Sequence, residues 1–471
     1  MSRRSRCRWV ISACVLLCAA LAVCEEIPRA KLDRIYQSAV AYYEAGRYAD
    51  AASQLEGLLP YGQKSFEVHE LLGMVYASLS QDAKAERQLK AAVELMPASA
   101  VARTNLAACL VHSGSTAEAM DQLRAALKLD PGSYEANHNL GELYIESGKF
   151  DAALPLLDQA QQANPVAYGN SYDLAMTEYL LGRLDEARRQ ILKIEAQQNS
   201  GDLHDLLGKV NEKDGKFLEA ANEYETAAHM DPSEDHLFDW GSEMLLHRTY
   251  EAAIAVFEEG VRRFPQSPRL QIGLGLSLYS RGKYDDAVHA LLRAADLEPS
   301  DARCYLFLSK AYDSSPSQAE GVIERFKRYA LLKPDNALAQ YYYAMSLWKG
   351  KRAEDADLNL QMIESLLKRA TDLDDALPEA HVQLGNLYAD QHLYEKSIPQ
   401  YVRALELNPN LSDAHYRLGT DYVHVGQKDR AQKEFEVYQK LRSEHLAEID
   451  KERAEVQQFV SSAKPSGQGK P

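Results

Sequence analysis

The residues best equipped for chemistry in this chain are scattered, and each grouping of them stops short of a working site. His69-Glu70 begins the helical zinc-peptidase pattern, in which two histidines one turn apart hold the metal and the glutamate activates water. Gly73 stands where the second histidine belongs, so a metal there would have one ligand. Gly273-Leu274-Gly275 has two of the three glycines that let a backbone wrap a pyrophosphate, without the third and without a preceding strand. No phosphate-binding loop, nucleophile elbow or haem-attachment cysteine pair occurs. Asp285-Asp286 and Asp374-Asp375 fall near helix starts or ends, where carboxylates cap backbone N–H groups or face water. His69, His381 and His415 share one register position and read as packing residues rather than metal ligands. The expectation is a chain that is not an enzyme, with no catalytic residues, no cofactor and no metal.

The elements that would position any such residue are far more regular. Ala51, Ala85, Ala119, Ala153, Ala187, Ala220, Ala253 and Ala287 follow one another at steps of 33 or 34 residues, and Ala431 resumes the register after two irregular units. A fixed period in this range marks a solenoid whose units pack on their neighbours. Twelve residues before most of these alanines a small residue follows a large apolar one, as in Leu72-Gly73, Leu140-Gly141 and Leu274-Gly275. A turn separates the two, as in Ser-Gly-Lys-Phe at 147–150, and a proline closes many units, as at Pro97, Pro131 and Pro299. Two runs of helical spacing, a glycine turn and a proline stop describe an antiparallel helix pair. Glycine supplies the positive φ that ends the first helix, and proline cannot continue the second. Small residues at mid-helix let two axes approach closely.

This grammar resembles the tetratricopeptide repeat family over about Leu32 to Leu441, in roughly twelve units. The first-helix small residues are Ala39, Gly73, Ala107, Gly141, Ala175, Gly208, Gly241, Gly275, Ser309, Ala344, Gly385 and Gly419. The resemblance implies an all-α, right-handed superhelical solenoid of antiparallel helix pairs. Unit nine replaces its turn with Ser314-Ser315-Pro316-Ser317, and unit ten carries seven extra residues, 351–357. The segmentation is then a signal peptide over 1–22 (to 23 in a lipoprotein), units one to nine over 28–314, and irregular units over 315–375. Units eleven and twelve follow over 376–440, then a sealing helix over 441–460 and a disordered tail over 461–471.

Composition bounds destination and partners. Arg3, Arg4, Arg6 and Arg8 precede an uncharged apolar run from Trp9 to Val23. This order is that of a secretory signal, and the run is short for a spanning helix. The expectation is export, periplasmic or secreted. Leu21-Ala22-Val23-Cys24 also forms an imperfect lipobox, so lipidation of Cys24 is the alternative route, the only one that would bring a membrane into play. Cys109 and Cys304, nearly six repeats apart, read as small core residues rather than a disulfide. The formal charge of −16, which becomes −20 once four signal arginines leave, excludes a nucleic-acid footprint and favours a soluble monomer or weak self-association.

What the resemblance adds is a ligand surface. In this family the first helices line a groove, and the residues three before and one after the small position meet the ligand. Carried over, the partner-groove candidates are Glu70 and Met74, His138 and Glu142, Tyr172 and Met176, Phe238, Ile272 and Leu276, and Tyr341 and Met345. No unit carries the Lys and Asn pair that chaperone-binding relatives use on a terminal carboxylate. The lining is acidic in the first half and aromatic or methionine-bearing through the middle, which suits polypeptide segments with apolar side chains. The expected function is a non-catalytic scaffold that binds other proteins or peptides. The alternatives are a component of an envelope assembly or secretion machine, and a repeat-fold enzyme or carbohydrate handler.

Overall fold

The computed structural model describes residues 29–315, 318–350 and 356–444, with the side chains of 356–359 left aside. The signal segment, Cys24, Pro316-Ser317, residues 351–355, the distal part of the sealing helix and the tail lie outside the described residues. Those described form helices joined by short turns and no strand, and within each unit successive helices stand in antiparallel pairs. Repeat 2, for example, pairs Phe66–Ser78 with Asp82–Leu95, and repeat 4 pairs Tyr134–Glu146 with Phe150–Ala163. The irregular ninth and tenth repeats keep the plan, as Ala302–Ser314 with Ala319–Leu332 and Ala337–Lys349 with Ala356–Leu373. A helix over 428–444 completes repeat 12. No helix among these residues is long and apolar enough to cross a membrane.

Contacts divide the chain into two compact units, one up to Phe217 and one from Leu218. Within each unit first helices pack on the second helices of their own repeats, and second helices pack on the first helix of the repeat that follows. The periodic alanines are buried; Ala85, Ala119, Ala153 and Ala287 are all 0% exposed. Where the small residue of a first helix is Gly73, Gly141, Gly241, Gly275, Gly385 or Gly419, it faces a large residue sixteen positions on. A Cβ placed on Gly73 would stand 2.5 Å from the Leu89 side chain, and one on Gly141 2.7 Å from that of Leu157. The same holds for Gly385 with Tyr401 and Gly419 with Phe435, each at 2.7 Å. Glycine is thus required by approach of the second helix, not by its backbone angles.

Helix starts are specified locally. Eight residues before the small position, Ser65, Ser99, Ser133, Ser200, Ser233, Ser267 and Asn336 each accept a hydrogen bond from a backbone N–H in the first turn. Such a cap stabilises a helix by about 1 kcal/mol. Four residues before the small position lies a second fixed point, a tie to the preceding loop. His69 bonds the Gln63 carbonyl (3.3 Å) and Gln88 (2.6 Å), and His381 bonds that of Asp375 (3.2 Å) and Gln400 (2.8 Å). His415 bonds the Pro409 carbonyl (3.0 Å) and Glu434 (2.6 Å). Arg103, Asn137, Tyr305 and Gln340 donate to the carbonyls of Pro97, Pro131, Pro299 and Pro334 in the same way. These histidines are committed to holding one repeat to the next. Cys109 and Cys304 are buried free thiols.

The turn seven residues after the small position adopts a left-handed conformation in ten repeats. Seven use glycine, with φ from 68° at Gly148 to 85° at Gly282. Ser80, Arg248 and His392 hold the same place at φ of 56°, 59° and 60°. An L side chain there costs roughly 1–2 kcal/mol, part of which glycine returns through unfolded-state entropy. Arg248→Gly is therefore expected to stabilise the second unit by about 0.5–1 kcal/mol, read as a raised urea midpoint. A lowered midpoint would mean that the Arg248 side chain contributes more than its backbone costs.

Candidate binding face

The sequence-chosen residues lie on first helices, and the stacking of repeats decides which of them meet. In the first unit, Glu70 and Met74 on Phe66–Ser78 are half-buried and are bridged by Asn105 of repeat 3. Its amide donates to Glu70 Oε1 at 3.2 Å and lies 3.7 Å from Met74 Sδ. Burial pushes the Glu70 carboxyl up, with the Asn105 hydrogen bond opposing.

On Tyr134–Glu146, His138 stacks against Tyr134 with ring centroids 5.5 Å apart. His138 Nε2 is 3.5 Å from Glu142 Oε1, and Nδ1 is 3.8 Å from Oδ2 of Asp173 on the next first helix, Tyr168–Leu180. The Asp173 carboxyl is pushed up to about 6, chiefly by burial, with the His138 charge opposing and the Glu142 charge adding. One ring nitrogen, one Glu142 oxygen and one Asp173 oxygen lie within 4.8 Å of one another, the only such ligand group among the described residues.

One turn along the same helix, Tyr172 stacks on Tyr168, whose hydroxyl is hydrogen-bonded to Ser200 Oγ at 2.7 Å. Burial first, then the charges of Asp202 and Asp205, push the Tyr172 phenol up to about 12. Tyr172 and Met176 cover a core formed by Ala175, Ala187, Ile191 and Leu206, each keeping a partly open edge. Lys209 pairs with the buried Asp205 at 2.6 Å.

In the second unit, Phe238 meets Phe257 edge-on at 6.2 Å, and the Arg269 guanidinium lies 5.0 Å over the Phe238 ring. Arg269 is held there by Glu234 at 2.6 Å and by Asp235. Leu276, Tyr341 and Met345 are half-buried. Burial raises the Tyr341 phenol above its ordinary value, with Asp313 and Glu379 adding. Ile272 departs from the expectation. It is 8% exposed and belongs to the same apolar cluster as Leu274, Tyr305 and Leu308. A short branched side chain at this position lies wholly inside the interface between first helices, whereas a long or aromatic one keeps an edge in water.

Sequence reasoning passed over two features. Asp173 sits two residues before its small position and joins His138 through the stacking of adjacent repeats. Between Pro378–Asp390 and Ser412–His424 lies a cleft of about 600 Å³ that includes Asp390, His392, Tyr394, Tyr416, Arg417 and His424. Tyr394 and His424 stack there at 4.4 Å, and Tyr416 is 51% exposed.

Helix pairs in register, each packed on its neighbours, define a helical repeat protein. Tetratricopeptide repeat models match residues 36–95, 83–134, 206–268, 238–302 and 272–324, a second set matches 110–168 and 145–210, and a third 378–411. The chain belongs to the tetratricopeptide repeat family. Human protein IFIT1 homolog B is 22% identical over 218 residues, 40% of this chain and 44% of that protein. The peroxisomal targeting signal receptor of Candida albicans is 25% identical over 254 residues, 51% of this chain and 40% of the receptor. The chain thus spans less than half the length of either relative. A tetratricopeptide repeat protein from Parabacteroides merdae, 17% identical, aligns with 52% of this chain and 98% of its own, at a TM-score of 0.41.

Proposed function

We propose that this protein is a non-catalytic scaffold that binds polypeptide segments on the first-helix face of its repeats. The observation that carries this reading is the state of the aromatic and methionine side chains there. Tyr172, Met176, Phe238 and Tyr341 are packed on the core at one side and keep an open edge at the other, and Met345 on the helix of Tyr341 is half-buried. Such residues offer rigid or adaptable apolar contacts at little entropic cost, the profile of interface anchors. Asp202, whose charge acts on Tyr172, and Glu70 and Glu142 on earlier first helices supply acidic groups that favour segments bearing Lys or Arg. The Candida receptor, named for a targeting signal, is in keeping with recognition of short segments.

Each unit is tested by itself. Tyr172→Ala with Met176→Ala in the first, and Phe238→Ala with Tyr341→Ala in the second, are compared as baits with the parent chain. Truncation of buried interface anchors costs about 1–2 kcal/mol each, so at least a tenfold loss of partner affinity is expected from the pair in the binding unit. Unchanged affinity for both pairs, with helical content retained, would move binding off this face.

We also propose export, on the strength of the basic Arg3–Arg8 stretch followed by the apolar run to Val23. Cell fractionation decides it: a full-length cytoplasmic product refutes export, and retention in membranes that Cys24→Ser abolishes would establish the lipid-anchored alternative.

A further inference from the structure

The polar group formed by His138, Glu142 and Asp173 is not accounted for by folding or by apolar contact with a peptide. Its members are close yet poorly satisfied. His138 Nδ1 is buried and makes no hydrogen bond, since Asp173 Oδ2 stands 3.8 Å away, beyond hydrogen-bond reach. Nε2 is 3.5 Å from Glu142, at the far limit. Among the described residues no lysine or arginine pairs with the Asp173 carboxylate, which is three-quarters buried as a side chain. Two carboxylates and an imidazole therefore surround a small volume without a fixed cation to balance them.

These separations suit a shared metal ion better than mutual hydrogen bonds. Ligand atoms each about 2.1 Å from one zinc-sized ion stand roughly 3.0–3.5 Å apart. The ring nitrogen and carboxylate oxygens here lie within 4.8 Å of one another, so rotamer adjustments would bring them into coordination. His138 and Glu142 are four residues apart on one helix and so share a face. Asp173 comes from the adjacent first helix, and the Tyr134 ring stacked on His138 fixes the imidazole plane. A set of one imidazole and two carboxylates suits zinc and its neighbours, whereas magnesium and calcium prefer oxygen alone.

We propose that His138, Glu142 and Asp173 form a three-ligand site for a divalent transition-metal ion of the zinc class, bridging repeats 4 and 5. Three protein ligands leave at least one coordination position to water or to a donor on another molecule. Glu142, the most exposed of the three, opens the site to solvent. The ion would also neutralise the charge that Asp173 otherwise carries in a poorly solvated place, so binding stabilises the first unit.

The test uses the untagged full chain, stripped with a chelator and titrated with zinc chloride and, separately, magnesium chloride by calorimetry at pH 7.5. One equivalent of zinc is expected to bind, and magnesium is not. Glu142→Gln and Asp173→Asn each weaken zinc binding at least tenfold, while His381→Gln, which alters only a tie between repeats, leaves it unchanged. Zinc raises the melting temperature of the parent chain and not of Asp173→Asn. Binding weakens as pH falls, because protons compete for all three ligands. Equal zinc binding by the parent, Glu142→Gln and Asp173→Asn, all folded by circular dichroism, would overturn the site, as would a parent chain with no saturable zinc uptake.

Discussion

Phe257→Ala is expected to destabilise the second unit by about 3–5 kcal/mol, the range for deleting a fully buried aromatic ring. Phe257 is 0% exposed, and its ring is gripped from two repeats. A Cβ on Gly241 of its own repeat would stand 2.8 Å from the ring, and one on Gly273 of the next repeat 2.5 Å. The ring is thus the common filling of two helix approaches, so its loss loosens repeat 7 and its junction with repeat 8 together. In a repeat array stability is the sum of unit and interface terms, and weakening one interface splits the cooperative unit. Urea unfolding should show a lower midpoint and a shallower or two-stage transition. Gly273→Ala, which forces a methyl into the same ring, should cost about 1–3 kcal/mol. A change below 1 kcal/mol for Phe257→Ala would mean that the neighbouring side chains collapse into the space, and that the two glycines are not there for this ring.

The second large effect concerns charge. Glu178→Gln should raise stability by about 1–2 kcal/mol at pH 8 and leave it nearly unchanged at pH 4.5. Glu178 is 8% exposed, and its Oε2 has no hydrogen-bond partner. Three residues after the small position, it stands where Tyr76, Tyr144, Tyr388 and Tyr422 stand in other repeats. Burial pushes its carboxyl up to about 7, with Asp158 and Glu186 adding and Arg183 and Arg189 opposing. A folded-state pKa above the unfolded one means that the folded chain holds the proton more tightly. Its penalty is absent below the unfolded value near 4.5, grows as pH rises through about 7, and is complete above that. Asp173, pushed up to about 6, adds a penalty of the same sign at lower pH. Urea titrations at both pH values separate this from a packing effect, which would change stability equally at each. A less stable Glu178→Gln at pH 8 would contradict the account.

How much of this was legible in the sequence depends on whether a feature is carried by residue identity or by reach. The period, the small residue of each first helix and the buried alanines are steric demands that few residues meet, so they recur visibly. The glycine turn was legible in seven repeats. In three others Ser80, Arg248 and His392 take the same positive φ, because repeat packing overrides the backbone preference. The ties to the preceding loop were not legible, since His69, Arg103, Asn137, Tyr305 and Gln340 share only a donor able to reach a carbonyl. Hydrogen bonding to that carbonyl is the reason the position holds side chains long enough to reach it.

The candidate face was legible in outline only. Register placed Tyr172, Phe238 and Tyr341 on first helices, but exposure depends on side-chain length at the seam, and Ile272 fell inside it. Asp173 escaped notice because register was read within each repeat. The carboxylate lies 35 positions after His138, one repeat and one residue onward, so asking what each candidate meets in the next unit would have found it.

The central claim is that polypeptide partners engage the first-helix face. It is tested most directly by site-specific photo-crosslinking in the native cell, with a photoreactive phenylalanine analogue placed singly at four positions. Met176 and Met345 lie on the candidate face and are half-buried, whereas Leu192 and Leu331 lie on second helices and are exposed, at 49% and 73%. Exposure alone would favour the second pair. The account predicts discrete polypeptide adducts from Met176, from Met345 or from both, and none from Leu192 or Leu331. Adducts confined to Leu192 and Leu331 would contradict it and assign binding to the second-helix surface.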